Sequence, residues 1–139
     1  AGTNILRVTG PVHTYASYPA GTDSGLFIYN GLDTDAEMKD IGRQEVTQKP
    51  SDKARFKVPT LRNLSYTAPY MHDGRFYTLE AVLNHYASGV TNTENLDASL
   101  NNAGTLGIPL TATEKLQLIA FLKTLTDNEF LTNPRFAEF

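Results

Sequence analysis

Cysteine is absent from all 139 residues, and so is tryptophan. Without a thiol the chain forms no disulfide, builds no thiolate metal site and carries no thioether-attached cofactor of its own. Long apolar runs are missing too, so no segment supplies the roughly 20 apolar residues of a membrane-spanning helix. No signal peptide is visible, and a start at Ala1 rather than Met reads as a processed chain or an excised fragment. An excess of positive charge is also lacking: 12 Lys and Arg stand against 15 Asp and Glu, for a formal net charge of −3. That balance argues against a nucleic-acid partner, which wants a basic patch. The basic residues Arg43, Lys49, Lys53, Arg55, Lys57, Arg62 and Arg75 are scattered, and Lys53–Lys57 reads as a solvated loop. There is no G-x-S-x-G, no H-E-x-x-H and no Gly-rich phosphate loop. His13, His72 and His85 are the only histidines, and none has a metal-ligand partner at helical spacing. Asp33, Asp35, Asp40 and Glu45 read as a solvated acidic loop.

The length suits one domain with a real core, and a 40% apolar fraction with mean hydropathy of −0.31 describes a globular chain. Residues 1–55 are loop-rich, with turn signals at Thr9-Gly10-Pro11, Pro19-Ala20-Gly21-Thr22 and Asn30-Gly31. "NILRV" and "GLFIY" are short β candidates, and a helical turn fits Asp33–Asp40. Two helices are clearer. In "TLEAVLNHYASG" Thr78 is the N-cap, Glu80 favours the first turn and Gly89 is the stop. Leu79, Val82, Leu83 and Tyr86 fall at i, i+3, i+4 and i+7, predicting a helix over about 78–88 that points Tyr86 inward and leaves His85 at the surface or rim. In "LTATEKLQLIAFLKTLTD", Thr111 and Glu114 form a capping box for a helix over about 112–126. Its apolar stripe is Leu118, Ile119, Leu122 and Leu125, widened by Leu116 and Phe121. Between them a short turn is expected at Leu96–Leu100, and the three Phe residues of the 127–139 tail predict that it packs back onto the body.

The densest stretch is "FKVPTLRNLSYTAPYMHDGRF", residues 56–76, read as a rigid signature loop over 56–77. Pro59 and Pro69 fix the backbone and push their preceding residues toward extended geometry, so "TLRNLSYT" is expected to be extended. Arg62 and Asn63 are candidates to satisfy buried carbonyls or a carboxylate, and a solvated surface pair is the competing reading. His72-Asp73-Gly74 reads as a turn delivering the chain into the helix at Thr78.

Taken together, "FKVPTLRN", "TAPYMHDGRFYTLEAVLNHY", "YNGLD", "DIGRQEVT" and the closing "LTATEKLQLIAFLKTLTDNEF" resemble, in order, the C-terminal haem domain of the bacterial di-haem cytochrome c peroxidases and their MauG-like relatives. The resemblance covers roughly Phe27 to Phe130. It implies a mainly α, cytochrome c-like haem domain with long structured loops and short β pieces, in a periplasmic parent that reduces hydrogen peroxide or uses it to oxidise a partner. The C-x-x-C-H of that domain would fall at or just before Ala1, so the chain is expected to be a fragment that begins after it and is inactive alone. The implied cofactors of the complete protein are haem c and calcium. The implied partners are the parent's N-terminal haem domain and a small redox donor.

The same resemblance distributes the residues. No catalytic group is expected in this chain. Tyr86 matches the position of the distal haem ligand, Met or Tyr in the family, and ligation requires phenolate character. A helix Tyr that buries its ring and bonds its hydroxyl to the backbone is the alternative. Met71 is the competing thioether ligand, or a loop anchor. His72 and Arg62 are expected to support the haem pocket, and the main-chain carbonyls of Thr67 and Pro69 match calcium ligands of the intact family member. A haem-free homologue acting as a binding or interaction module is the alternative function. Without haem, exposed apolar cavity walls would favour self-association.

Overall fold

A computed structural model of the chain describes residues 27–136. The "NILRV" segment, the turns at Thr9-Gly10-Pro11 and Pro19–Thr22, and His13 lie outside the described residues. In chain order the elements are β1 (Phe27–Ile28), α1 (Gln44–Thr47), β2 (Phe56–Lys57) and α2 (Leu79–Asn84). A single π-helical turn, His85–Gly89, then precedes β3 (Asn101–Asn102), β4 (Thr105–Leu106), α3 (Ala112–Thr124) and α4 (Asn128–Thr132). Short 3-10 turns sit at Pro50–Asp52, Leu64–Tyr66, Ala98–Leu100 and Pro134–Phe136. The result is a small helical fold with a few two-residue strands, in line with a cytochrome c-like architecture. The described residues form two compact units: 27–59 with 84–110, and 60–83 with 111–136.

The first unit is organised around Tyr29, which is 1% exposed. β1 pairs antiparallel with β2, Phe27 opposite Lys57 and Ile28 opposite Phe56. The chain then turns inward at Tyr29. Its phenol oxygen donates to the Asp33 carbonyl at 2.5 Å and accepts from the Asp33 N–H at 2.8 Å, closing the "YNGLD" turn on a side chain. Leu32, Ala54, Val90 and Leu100 complete this buried set. Thr34 and Glu37 form the local turn expected within Asp33–Asp40, and Asp97 caps the turn at Ala98–Leu100. The acidic loop and the lysine cluster meet at one ion pair, Lys53 Nζ to Asp35 Oδ1 at 2.8 Å, which at the surface contributes little.

In the second unit, Thr78 caps α2 by accepting from the Ala81 N–H at 3.1 Å, and Leu79 and Leu83 are buried. α3 opens on a complete capping box, with the Thr111 N–H and hydroxyl both 2.8 Å from a Glu114 carboxylate oxygen. Those bonds, first from the backbone N–H and then from the hydroxyl, hold the Glu114 carboxyl below its ordinary value against a small opposing effect of burial. A depressed carboxyl stabilises above the unfolded value and loses that contribution as pH falls through the folded one. Thr111→Ala is therefore expected to cost about 1 kcal/mol. In Glu114→Gln the acid loss of helicity, followed by far-UV circular dichroism, should become shallower.

Two expectations fail in this unit. "TLRNLSYT" is not extended throughout: Asn63 adopts a left-handed conformation, φ 60°, and a 3-10 turn follows at Leu64–Tyr66. Asn tolerates that region, and here it is held there from afar. Its N–H donates to the Leu125 carbonyl at 3.1 Å, and its Oδ1 accepts from the Asp127 N–H at 2.6 Å. Asn63 thus clasps the junction between α3 and α4, with its side chain accepting from an N–H instead of donating to a carbonyl. The second failure concerns apolar burial. No residue of α3 is buried; Leu118, Ile119, Leu122 and Leu125 are half-buried, and Leu116 is 69% exposed. In the tail, Phe130 and Phe136 stack on each other at 5.3 Å but stay exposed, instead of packing into a core. Apart from Val46, every exposed large apolar side chain among the described residues belongs to this unit. The apolar pattern is correct for a helix, yet among the described residues it stays no more than half-buried.

Candidate functional site

Local chemistry builds the signature loop. Tyr70 and Phe76 pair across it, the Tyr70 N–H donating to the Phe76 carbonyl at 2.7 Å, and the Tyr70 hydroxyl donates to the Leu64 carbonyl at 2.6 Å. Between them Met71 and Gly74 take positive φ and make the expected turn. Asp73 accepts from the Arg75 N–H and from its Nε at 2.6 Å, bracing the corner. Met71 is half-buried; Arg62, Thr67, Pro69 and His72 are exposed. The loop carries these five residues on one segment of the second unit, whereas Tyr86 belongs to the first unit. Among the described residues no cluster of three or more His, Asp or Glu side chains is spaced to hold a metal. A surface depression of about 450 Å³ is lined by Lys39, Asp40, Ile41 and Glu45, none of them a residue singled out for chemistry.

The helical run after Thr78 supplies the most developed constellation. α2 ends at Asn84 and widens into the π turn His85–Gly89, a local expansion often found at functional positions. Gly89 ends the helical run as expected, without a positive φ. It also makes space, because a Cβ there would lie 3.2 Å from His85 Nδ1. His85 is not at the rim either. It is buried, 7% exposed, with Nε2 2.8 Å from the Asn30 carbonyl oxygen. A carbonyl only accepts, so Nε2 carries the proton. The 100° separation of successive helix positions suggested that His85 and Tyr86 serve different places. His85 in fact reaches the Asn30 carbonyl in the interior.

Tyr86 is half-buried. Burial pushes its phenol above the ordinary value of 10; the hydrogen bond from Asn30 pulls down, and the negative charge of Asp97 pushes up again. The phenol is thus neutral at physiological pH in the unliganded chain, and the fold resists its ionisation. As pH rises through the ordinary tyrosine value toward the raised one, the first unit loses stability. The Tyr86 backbone is held as tightly as its side chain. Its carbonyl accepts from the Ile108 N–H at 2.7 Å, and Gly107, at φ +79°, packs against it. His85 edges onto the Tyr86 ring with centroids 5.4 Å apart.

The donor chemistry fits a haem iron only in part. Tyr86 offers a half-buried phenol oxygen, but burial and the Asp97 charge oppose the phenolate that ligation requires, and residues 1–139 contain no cysteine for thioether attachment. Sequence reasoning missed Asn30 as part of this site. The one available signal was its place in the turn dipeptide Asn30-Gly31, which said nothing about a partner far along the chain.

Comparison with known proteins gives a consistent picture. The chain is 38% identical over 98 residues to a cytochrome-c peroxidase of Pseudomonas sp. strain SCT, an overlap of 68% of this chain and 24% of that protein. It is 33% identical over 131 residues to the cytochrome c551 peroxidase of Nitrosomonas europaea, 92% of this chain and 34% of that protein. To the methylamine utilization protein MauG of Methylorubrum extorquens it is 36% identical over 88 residues, 62% of this chain and 24% of that protein. The crystal structure of a MauG-like protein associated with microbial copper homeostasis matches with a TM-score of 0.65 and 38% identity, covering 81% of this chain and 35% of that one. No protein-family model matches. The chain therefore spans about a quarter to a third of the relatives it matches.

Proposed function

Because this chain belongs to the cytochrome c peroxidase and MauG family, we propose that it is the electron-relay part of a di-haem, peroxide-using oxidoreductase, with Tyr86 as the distal ligand of its haem. One observation carries the reading: Tyr86 stands half-buried on the π turn that follows α2, with its backbone carbonyl pinned by the Ile108 N–H at 2.7 Å. A bound haem c would supply one-electron chemistry with a potential set by its axial ligands and burial. This chain's residues hold and orient. Tyr86 presents the oxygen. Met71, half-buried at a positive-φ corner, is the competing thioether, while His72 and Arg62 are exposed on the same loop and suited to polar support at a haem edge. The Thr67 and Pro69 carbonyls, on the exposed part of that loop, are assigned to calcium in the complete protein, which needs further oxygen ligands from outside this segment.

The reading extends to hydrogen peroxide as oxidant, a small redox protein as donor, an N-terminal haem domain as neighbour and a periplasmic location for the parent. No helix among the described residues is long and apolar enough to cross a membrane. The test is the Soret spectrum of the haem-bearing protein beside its Tyr86→Phe variant. Loss of the phenolate ligand should change the ferric spin state and move the band; identical spectra would remove Tyr86 from the coordination sphere. The second reading, a haem-free interaction module, rests on the uncovered apolar side chains of the second unit. It predicts a self-associating chain in light scattering and no haem uptake by the complete protein, and a haem-loaded protein ends it.

A further inference from the structure

The fold gathers on one face of the β1–β2 pair cations that residue order leaves scattered. Directly opposed strand residues share a face, so Phe27 and Lys57 stand on the same side. Arg55, bridged to Gly42 just before β2, lies two positions from Lys57 and shares that side. Arg43 completes the group, its guanidinium carbon 4.3 Å from the centre of the Phe27 ring. The backbone ties the same residues together, the Arg43 N–H donating to the Arg55 carbonyl at 2.9 Å. That approach needs Gly42, where a Cβ would lie 2.6 Å from the Arg55 carbonyl oxygen. The ion pairs of this region, Arg43 with Asp52 at 3.4 Å and Lys53 with Asp35, leave Arg55 and Lys57 without a carboxylate among the described residues. Arg55 Nε is enclosed and has no hydrogen-bond acceptor among them, a costly state for a guanidinium N–H. Its backbone is not free to retreat. The Arg55 N–H donates to the Asp52 carbonyl at 3.2 Å, and buried Ala54 before it is held at φ 59°, a strained conformation that persists only where its surroundings enforce it.

We propose that this face docks an acidic segment of a partner protein, with Arg55 taking one carboxylate through its planar fork and Lys57 taking a second. Charge complementarity selects the occupant. The chain as a whole carries −3, so a face with two unmatched cations reverses the local sign and orients an approaching anionic surface. Spacing selects its form. Arg55 and Lys57 are about 7 Å apart along the strand, the interval between alternate residues of any extended chain. Carboxylates at alternate positions of an extended segment repeat at that same interval and meet both cations, whereas a single small anion meets one. An arginine fork also holds a carboxylate by two parallel hydrogen bonds, which gives the contact direction as well as charge. Phe27, half-buried on the same face, adds apolar surface beside the charges. The inference does not depend on the ligand reading of Tyr86, which involves none of these residues.

The test is fluorescence anisotropy of a labelled hexaglutamate peptide titrated with the full chain at low ionic strength, with hexaglutamine as the neutral control. Hexaglutamate should bind, hexaglutamine should not, and added salt should release the complex. Absence of hexaglutamate binding overturns the proposal. Arg55→Gln should weaken binding about fivefold, and Lys57→Glu about tenfold because it sets like charge against the peptide. Lys123→Glu, on α3 of the other unit, makes the same change of net charge and should leave the affinity within about twofold. Equal losses in Lys57→Glu and Lys123→Glu would mean attraction to overall charge and would remove the face. Displacement of the peptide by inorganic phosphate at constant ionic strength would mean a small-anion site at Arg55 and would remove the peptide as occupant. Should Arg55→Gln not fold by far-UV circular dichroism, Lys57→Glu decides alone, because Lys57 is exposed and its replacement leaves the packing intact. Unchanged affinity in that variant overturns the proposal.

Discussion

Gly107→Ala is expected to cost the fold about 3 kcal/mol and to disturb Tyr86, while Gly104→Ala three residues away costs only about 1 kcal/mol. Both glycines have positive φ, +79° and +91°, so an alanine at either is strained by its backbone conformation. The difference lies in what a Cβ would meet. At Gly104, the tip of the β3–β4 hairpin, nothing lies within 4 Å. At Gly107 a Cβ would stand 2.6 Å from the Tyr86 carbonyl oxygen and 3.1 Å from that of Ala87, and both are backbone atoms that no rotamer change can move. Relief requires sliding the π turn off its Ile108 hydrogen bond, which displaces Tyr86 relative to Asn30. Chemical denaturation gives the two stabilities, and the phenol titration of Tyr86 should move only for Gly107→Ala. Equal losses at the two positions would show that the close approach has no energetic weight.

Tyr29→Ala should remove about 3–5 kcal/mol, the usual range for deleting a buried aromatic ring. Tyr29→Phe should remove about 1–2 kcal/mol, because the ring stays and the Asp33 N–H and carbonyl lose their shared partner. Tyr29 is the largest fully buried side chain among the described residues, and its carbonyl accepts from the Asp97 N–H at 3.0 Å. The ordering Ala well below Phe, and Phe below the parent in thermal melts, is the expected result. A Phe variant as unstable as the Ala variant would place the stabilisation in the hydroxyl instead of the packed ring.

Features whose partners lie within one turn were readable from residue order. Thr111 with Glu114, Thr78 with Ala81, and the turn at His72-Asp73-Gly74 each close over a few residues, so their chemistry is complete in the local sequence. Features whose partners are distant were not. His85 meets Asn30 across 55 positions and Asn63 meets Asp127 across 64, and nothing in either stretch announces the other end. The exposed α3 stripe belongs to the same class. Periodicity can mark an apolar face, but it cannot state whether this chain or something else covers it.

Local spacing and capping thus set where the helices start and which face of each is apolar. The long-range hydrogen bonds decided the rest. They made the Asn30-Gly31 turn the partner of His85, drew His85 from the expected rim into the interior, and bent the signature loop at Asn63. The physical reason is that a polar group leaving water must find a partner wherever the folded chain supplies one, and that place is a property of the three-dimensional path alone.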